Sequence, residues 1–338
     1  VTQVLNEYDA NLKTLMEQTK NDLSVAVEDI NTKLDQLSEL NSSIAHEIFS
    51  NNDYDGVNYG PNDLLDQRNV ILDDLSRYGD VQVTDLEDGK IQVKINGKVV
   101  VDASGASYTN DKLNIGSDGV TLTWNSNNQN ANLGAGAIRG FTDMLTGADP
   151  INAGIPYYQN KMDNFAQTLA DVFNKKIHAD DPDFPDKYKF LLQGGVDGKV
   201  TAGNISISDQ WADDVSYIIR KQNPDGELDN QDILDMKAAF EQDFNFGGEY
   251  TGTFSEFITS VTNTLGSGIK TNSARMSASL AIAESADSER MGVSGVSLNE
   301  EGISMMTYNK AYQALGRLMT TMDEQLDMII NKMGIVGR

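Results

Sequence analysis

The chain has 338 residues, with 51 acidic side chains against 26 basic ones, a formal charge of −25 and no cysteine. Disulfides, thiolate catalysis and cysteine metal sites are thereby excluded, and the missing basic patches argue against nucleic acid and anionic membranes, whose phosphates require them. No apolar run approaches the ~20 residues of a membrane span, and the length suits two or three domains with a substantial core.

The first stretch reads as one long helix. Leu5, Tyr8, Leu12 and Leu15 open an apolar seam, and Leu23, Val27, Ile30, Leu34, Leu37, Asn41, Ile44 and Ile48 continue it in alternating steps of four and three. That is the a/d spacing of a coiled-coil stripe, which predicts a partner helix alongside. Two steps of four through Thr19 form a stutter that unwinds the supercoil locally. Asn41, on the seam, is expected to fix register at some cost in stability. His46, between Ile44 and Ile48, suits a solvated flank better than a catalytic position.

Asn51-x-Asp53-x-Asp55-Gly56 imitates the opening of a calcium loop, but the twelfth position is Asn62 where the site needs a bidentate Glu. A surface turn selects the same residues, so a loop followed by a short helix over 62–78 is the better reading. From Val81 the period changes to two. Val81 and Val83, the turn Asp88-Gly89, then Ile91, Val93 and Ile95, the turn Asn96-Gly97, and Val99 and Val101 predict antiparallel hairpins. Leu113, Ile115, Asp118-Gly119, Val120, Leu122 and Trp124 repeat the scheme, giving a meander that ends near Asn132. Gly134-Ala135-Gly136 lacks the Gly-Lys-Ser/Thr of a phosphate loop.

Helices are predicted over 140–145 and from Pro156 to His178, where Tyr158, Met162, Phe165, Leu169 and Val172 share a face. The prolines at 182 and 185 mark a loop, 191–207 reads as two short strands, and Gln222 to Gly226 is a turn. Further helices fall at 230–240, 254–265 and 276–290, the last rich in alanine and serine. The final helix has Ser297 as N-cap with Glu300 three residues on, and a second seam of Tyr308, Tyr312, Leu315, Met319, Met322, Leu326, Ile329 and Met333 in steps of four and three. At ~1.5 Å per residue it runs roughly 40 Å. Methionines crowd this helix; they suit seam filling, and they also suit a plastic surface that exchanges partners.

Nothing points to catalysis. The two histidines, His46 and His178, are far apart in sequence, and no G-x-S-x-G presents a serine. The scattered carboxylates read as solvated surface, so the chain is read as no enzyme, with no cofactor and no metal site.

The order of residues in three stretches goes beyond periodicity. Ser294-Gly295-Val296-Ser297-Leu298-Asn299-Glu300-Glu301, then Tyr308, Ala311-Tyr312-Gln313-Ala314 and Asp323-Glu324, resembles the C-terminal signature of bacterial flagellar axial proteins. Asn62-Asp63-Leu64-Leu65-Asp66-Gln67-Arg68 and Leu169-Ala170-Asp171-Val172-Phe173-Asn174 resemble segments of the hook-associated protein 1 family, the hook–filament junction proteins, in that family's order. Asn69 departs from the commoner Asp, and the chain begins at Val1 inside a helical pattern, without the family's N-terminal segment.

The resemblance implies a structural subunit of the flagellum that polymerises between hook and filament. Its expected partners are copies of itself, the hook protein, the second junction protein and an export chaperone that holds the terminal helix; export by the flagellar type III apparatus would place it outside the cell. The expected fold is α+β: a discontinuous helical domain from 1–78, 140–189 and 221–338, with 79–139 and 190–220 as an inserted β-rich domain. The two seams, 23–48 and 308–333, are expected to pair. The alternatives are another axial protein (the second junction protein or a flagellin-like subunit) or an acidic secreted adhesin that binds carbohydrate through its strands.

Overall fold

Fifty residues without glycine or proline form α1 (Thr2–Asn51) as one uninterrupted helix. It belongs to a computed structural model that describes residues 1–51, 61–102, 109–177, 191–195, 198–219 and 230–328. The calcium-like loop at 52–60, His178, the proline loop and the 222–226 turn lie outside these residues.

After α1 come α2 (Asn62–Ser76), then β1 (Val81–Asp85), β2 (Ile91–Ile95), β3 (Lys98–Asp102) and β4 (Thr109–Asn110), which form one antiparallel sheet in that order. Asn96 and Gly97 both have positive φ, 50° and 81°, the mirror-image turn that Asn-Gly favours between twisted strands. Val93 pairs with Val101 and Lys94 with Val99, so Val100 is an extra residue in a bulge. The bulge departs from the simple alternation of Val99 and Val101: Val100 and Val101 are both buried, while Val99 is only half-buried. The meander also does not run on unbroken. β5 (Leu113–Ile115) and β6 (Leu122–Trp124) form a separate two-stranded sheet. The diversion comes at Asn110 and Lys112, whose side-chain nitrogens both donate to the Asp35 carboxylate on α1.

α3 (Gly136–Thr146) begins four residues earlier than the apolar pattern indicates. Gly136 sits at φ +75°, and a Cβ there would lie 2.3 Å from the carbonyl carbon of Tyr78. The glycine therefore serves a close helix docking, sealed by the Ala137 amide donating to the Arg77 carbonyl. α4 (Ile155–Lys176) follows, then β7 (Leu192–Gln193) paired with β8 (Ser206–Ile207), α5 (Asp209–Asp213), α6 (Gln231–Ala239) and the hairpin β9 (Phe244–Phe246) and β10 (Tyr250–Gly252). α7 (Phe254–Ser294) is one helix of 41 residues, not the two stretches its sequence suggests. It passes through Gly266 and Gly268, two residues that each cost ~1 kcal/mol in a helix interior. A capping box starts it: the Glu256 amide donates to Thr253 Oγ1, and the Thr253 amide donates to Glu256 Oε2. α8 (Leu298–Asp327) closes the described chain. The architecture is α+β, as expected.

The chain divides into two compact units, Val1–Gly268 and Ile269–Arg338. The first holds two main cores. In one, Leu23, Val27, Ile30, Leu34 and Leu37 of α1 pack with Leu75 of α2, Ile91, Val93 and Ile95 of β2, Val101 of β3, Leu113 of β5, Trp124 of β6, and Ile138 and Leu145 of α3. In the other, the α4 face of Met162, Phe165, Leu169 and Val172 meets Leu5, Ile205, Phe246, Phe254 and Phe257. The rings of Phe246 and Phe257 stack at 4.3 Å. The strands at 79–133 thus share a core with α1–α3, and 191–207 packs in the other core.

Candidate assembly surfaces

The two seams meet different fates. On α1, Leu23, Val27, Ile30, Leu34, Leu37 and Ile44 are all buried, none more than 4% exposed, and Ile48 is half-buried. Strands and short helices of the first unit cover Leu23 to Leu37. Within the first unit this stretch has helical neighbours, Leu75 of α2 and Ile138 and Leu145 of α3, and beside them Ile91, Val93 and Ile95 of β2, set at period two.

Polar side chains on α1 hold that sheet in register. Asn41 is fully buried; its Nδ2 donates to the Ile91 carbonyl at 3.0 Å, and its Oδ1 accepts from the Ile91 amide at 3.2 Å. Asn31 grips Leu113 in the same way, at 2.9 Å in both directions. Asn41 therefore sets the register of a strand on a helix, not of one helix on another. Its place in the seam made it legible as a register device; Asn31, beside the seam, gave no signal. The same side-chain logic recurs on α4, where Asn174 accepts from the Leu191 and Leu192 amides and donates to the Leu192 carbonyl.

Charges tie α1 to α2. Lys33 Nζ lies 3.0 Å from Asp74 and 3.6 Å from Asp29, and Tyr78 Oη donates to Asp29 at 2.7 Å. The bond from Lys33 holds the Asp74 carboxyl below its ordinary range, and the bond to Asp29 pushes the Tyr78 phenol up. Arg68, the last residue of the Asn62–Arg68 motif, is buried and donates from Nη1 to the Gly89 carbonyl, which anchors α2 to the turn between β1 and β2. Burial lowers its pKa, and Asp85 opposes that shift. Between α1 and α2 runs an open groove of about 620 Å³, with Leu40, Val70 and Ile71 among its lining and Glu39 and Asp66 beside them.

α8 presents the opposite picture. Ser297 Oγ accepts from the Glu300 amide at 3.4 Å as its N-cap, and Glu300 and Glu301 face the positive end of the helix dipole. Tyr308, Tyr312, Leu315, Met319, Met322 and Leu326 are all exposed, from 50% at Leu326 to 79% at Tyr312. Ile329 and Met333 lie outside the described residues. Beside the seam stand Asn309, Ala311, Gly316, Leu318 and Gln325, with Asp323 the one charge among these flanking positions. The distal half of α7 is equally bare: Ile269, Met276, Leu280 and Ile282 are exposed. No described side chain from Ile269 to Met328 is buried. Seven basic and eight acidic residues fall in 269–338, so the first 268 residues carry 24 of the 25 net negative charges. His46 is exposed on α1, as a solvated flank residue would be.

A family model described as the helical domain of the flagellar hook-associated protein FlgK matches residues 1–184, more than half of the chain. The chain belongs to the FlgK family. The match covers α1 to α4 and the whole of the core that α1 builds with the strands. A second model, the C-terminal region of the flagellar basal body rod FlgEFG proteins, matches residues 288–332, which hold α8 and its N-cap. Over its whole length the chain is similar to flagellar hook-associated protein 1 of Bacillus subtilis (strain 168), with 26% identity over 379 residues that cover 70% of that protein. The FlgK signal thus falls on the buried framework and the rod-type signal on the exposed helix. Among the described residues no helix is long and apolar enough to cross a membrane.

Proposed function

We propose that the chain is a structural subunit of the bacterial flagellum that joins hook to filament, with the first unit as its rigid body and α8 as a surface that becomes covered on assembly. The observation that carries this reading is the uncovered seam of Tyr308 to Leu326 in a chain whose first 184 residues match FlgK. Burying a side chain of this size gains ~1.5–3 kcal/mol, so a row of six left in water is a strong drive to associate. The partner helix is sought in a neighbouring axial subunit, because the α1 stripe over 23–37 is already occupied. Copies of the same chain, the hook protein and the second junction protein are the partners. An export chaperone on the same seam before assembly, and passage through the flagellar type III apparatus, complete the reading. The role is mechanical: helices packed side by side transmit torque, and no catalytic step is assigned.

The match of 288–332 to rod proteins favours one second reading, a sibling axial protein, because such a helix is shared across that group. Deleting the gene in its source bacterium tests the junction role. The junction role requires hooks that carry no filament, restored by the intact chain and not by a Leu315→Glu, Met322→Glu variant. Filaments of normal length on the deletion strain's hooks would overturn it.

A further inference from the structure

Methionine is concentrated in the second unit, where the proposed assembly surface lies. Of the twelve methionines, eight lie beyond residue 268, in little more than a fifth of the chain. The seven of these that are described (Met276, Met291, Met305, Met306, Met319, Met322 and Met328) are between 52% and 73% exposed, whereas Met162 and Met236 in the first unit are only 7% exposed. With no cysteine present, the thioether is the sole sulfur that an oxidant can reach. Met319 and Met322 sit on the α8 seam, and Met305 extends its alternation by one more step of three.

We propose that Met305, Met319 and Met322 form an oxidation site, through which peroxide-class oxidants switch off the assembly surface of the free subunit. The step is a two-electron oxygen transfer. A sulfur lone pair attacks the terminal peroxide oxygen, the O–O bond breaks, and the departing hydroxide takes a proton to leave as water. The sulfur is oxidised to the sulfoxide and the peroxide is reduced. A flexible apolar side chain thereby becomes a polar one whose S=O dipole has no partner in a helix–helix contact, and burying it there is unfavourable. Leucine at the same positions would give a comparable apolar surface without this chemistry. Covering the seam in the assembled state removes the sulfurs from the oxidant, so the switch acts before incorporation. Methionine sulfoxide reductases reverse it. The control of assembly rests on the assembly reading above; the selectivity of oxidation does not.

The test uses the full chain, hydrogen peroxide as the oxidant, and two readouts. Peptide mapping by mass spectrometry is expected to find added oxygen on Met305, Met319 and Met322 while Met162 and Met236 stay unmodified. Oxidation of Met162 and Met236 at the same rate as the seam overturns the site. Sedimentation velocity over a concentration series is expected to show self-association of the untreated chain, weakened roughly tenfold or more by peroxide, the scale of a buried unpaired dipole. The Met305→Leu, Met319→Leu, Met322→Leu variant is expected to associate as the parent does and to lose its sensitivity to peroxide. Equal sensitivity in that variant overturns control through the seam. An untreated chain that stays monomeric counts against the assembly reading, while the mapping still decides whether the site exists.

Discussion

Residues 23–44 of α1 and 308–326 of α8 space their apolar side chains alike, in steps of four and three, yet one row is in a core and the other in water. A period of 3.5 residues specifies a narrow stripe and says nothing about what covers it. What separates the two is the polar company they keep. The α1 stripe contains Asn41 and is flanked by Asn31 and Asp35, side chains that satisfy strand backbone and strand side chains. The α8 stripe is flanked chiefly by small or amide side chains (Asn309, Ala311, Gly316 and Gln325), with Leu318 and Asp323 as the exceptions. Charge divides in the same sense, since nearly all the net negative charge falls in the unit whose apolar surface is already satisfied.

The sharpest way to break the comparison is the same substitution in both rows. Leu34→Ala is expected to destabilise the first unit by about 3 kcal/mol, within the ~2–5 typical of deleting a buried leucine side chain, because Leu34 is completely buried. Leu315→Ala is expected to change the stability of the isolated chain by no more than ~0.5 kcal/mol, as exposed positions do. Urea unfolding followed by far-ultraviolet circular dichroism reads both, and the emission of Trp124, buried in the affected core, reports the first unit by itself. Equal losses would mean that the α8 row is covered in the free chain, and the assembly surface would be lost as a concept. The incorporation defect should run the other way, severe for α8 variants and mild for any α1 variant that still folds.

The second test concerns the amides. Asn41→Ala leaves the Ile91 amide and carbonyl without their partner inside a core, and each orphaned group costs ~1–3 kcal/mol, so a loss of about 2–4 kcal/mol is expected. Asn31→Ala should cost less, about 1 kcal/mol, because Asn31 is only half-buried and water can reach the freed Leu113 groups. Hydrogen exchange separates the two: Asn41→Ala should speed exchange at the Ile91 amide, and Asn31→Ala at Leu113. If both variants lose the same stability, burial does not govern these clamps and the ranking fails.

Much of this was legible in the sequence, for reasons that differ by element. Long uninterrupted helices and the Asn96-Gly97 hairpin announce themselves locally, because their signals are propensity and turn geometry. The family was legible from the order of residues in Asn62–Arg68 and Ser294–Asp323. What covers a stripe is a long-range fact, and the 23–37 row carried no trace of the strands that join α2 and α3 in its core. The hairpin of Phe244–Phe246 and Tyr250–Gly252 escaped because three-residue strands leave too short a pattern. The continuity of α7 escaped because Gly266 and Gly268 oppose it locally. The Val100 bulge escaped because pairing errors of one residue are invisible in an apolar run. For the proposed assembly surface, spacing gave the row Tyr308 to Leu326, while its exposure had to come from the fold.

The smallest expected effect lies at the β5–β6 turn, in the same strand layer that satisfies the α1 stripe. Asp118 accepts from the Val120 amide, the Thr121 amide and the Thr121 hydroxyl. These bonds, the Thr121 hydroxyl foremost, hold its carboxyl down at about 2, against an ordinary value of ~3.9. A depressed pKa means that the unfolded chain takes up the proton first as acid is added. The turn therefore contributes its full stability above about pH 4 and loses it as the pH falls through about 2. Since the carboxylate is open to solvent, the effect on global unfolding should be slight. The local reading is decisive: in NMR titration the Val120 and Thr121 amide shifts should move with a midpoint near 2, well below the carboxylates that lack such bonds. Asp118→Asn should abolish that low transition without disturbing the Leu113–Trp124 pairing. A midpoint near 4 would mean that the carboxylate is free of the turn in solution, and the strand layer would then owe its order to the α1 clamps alone.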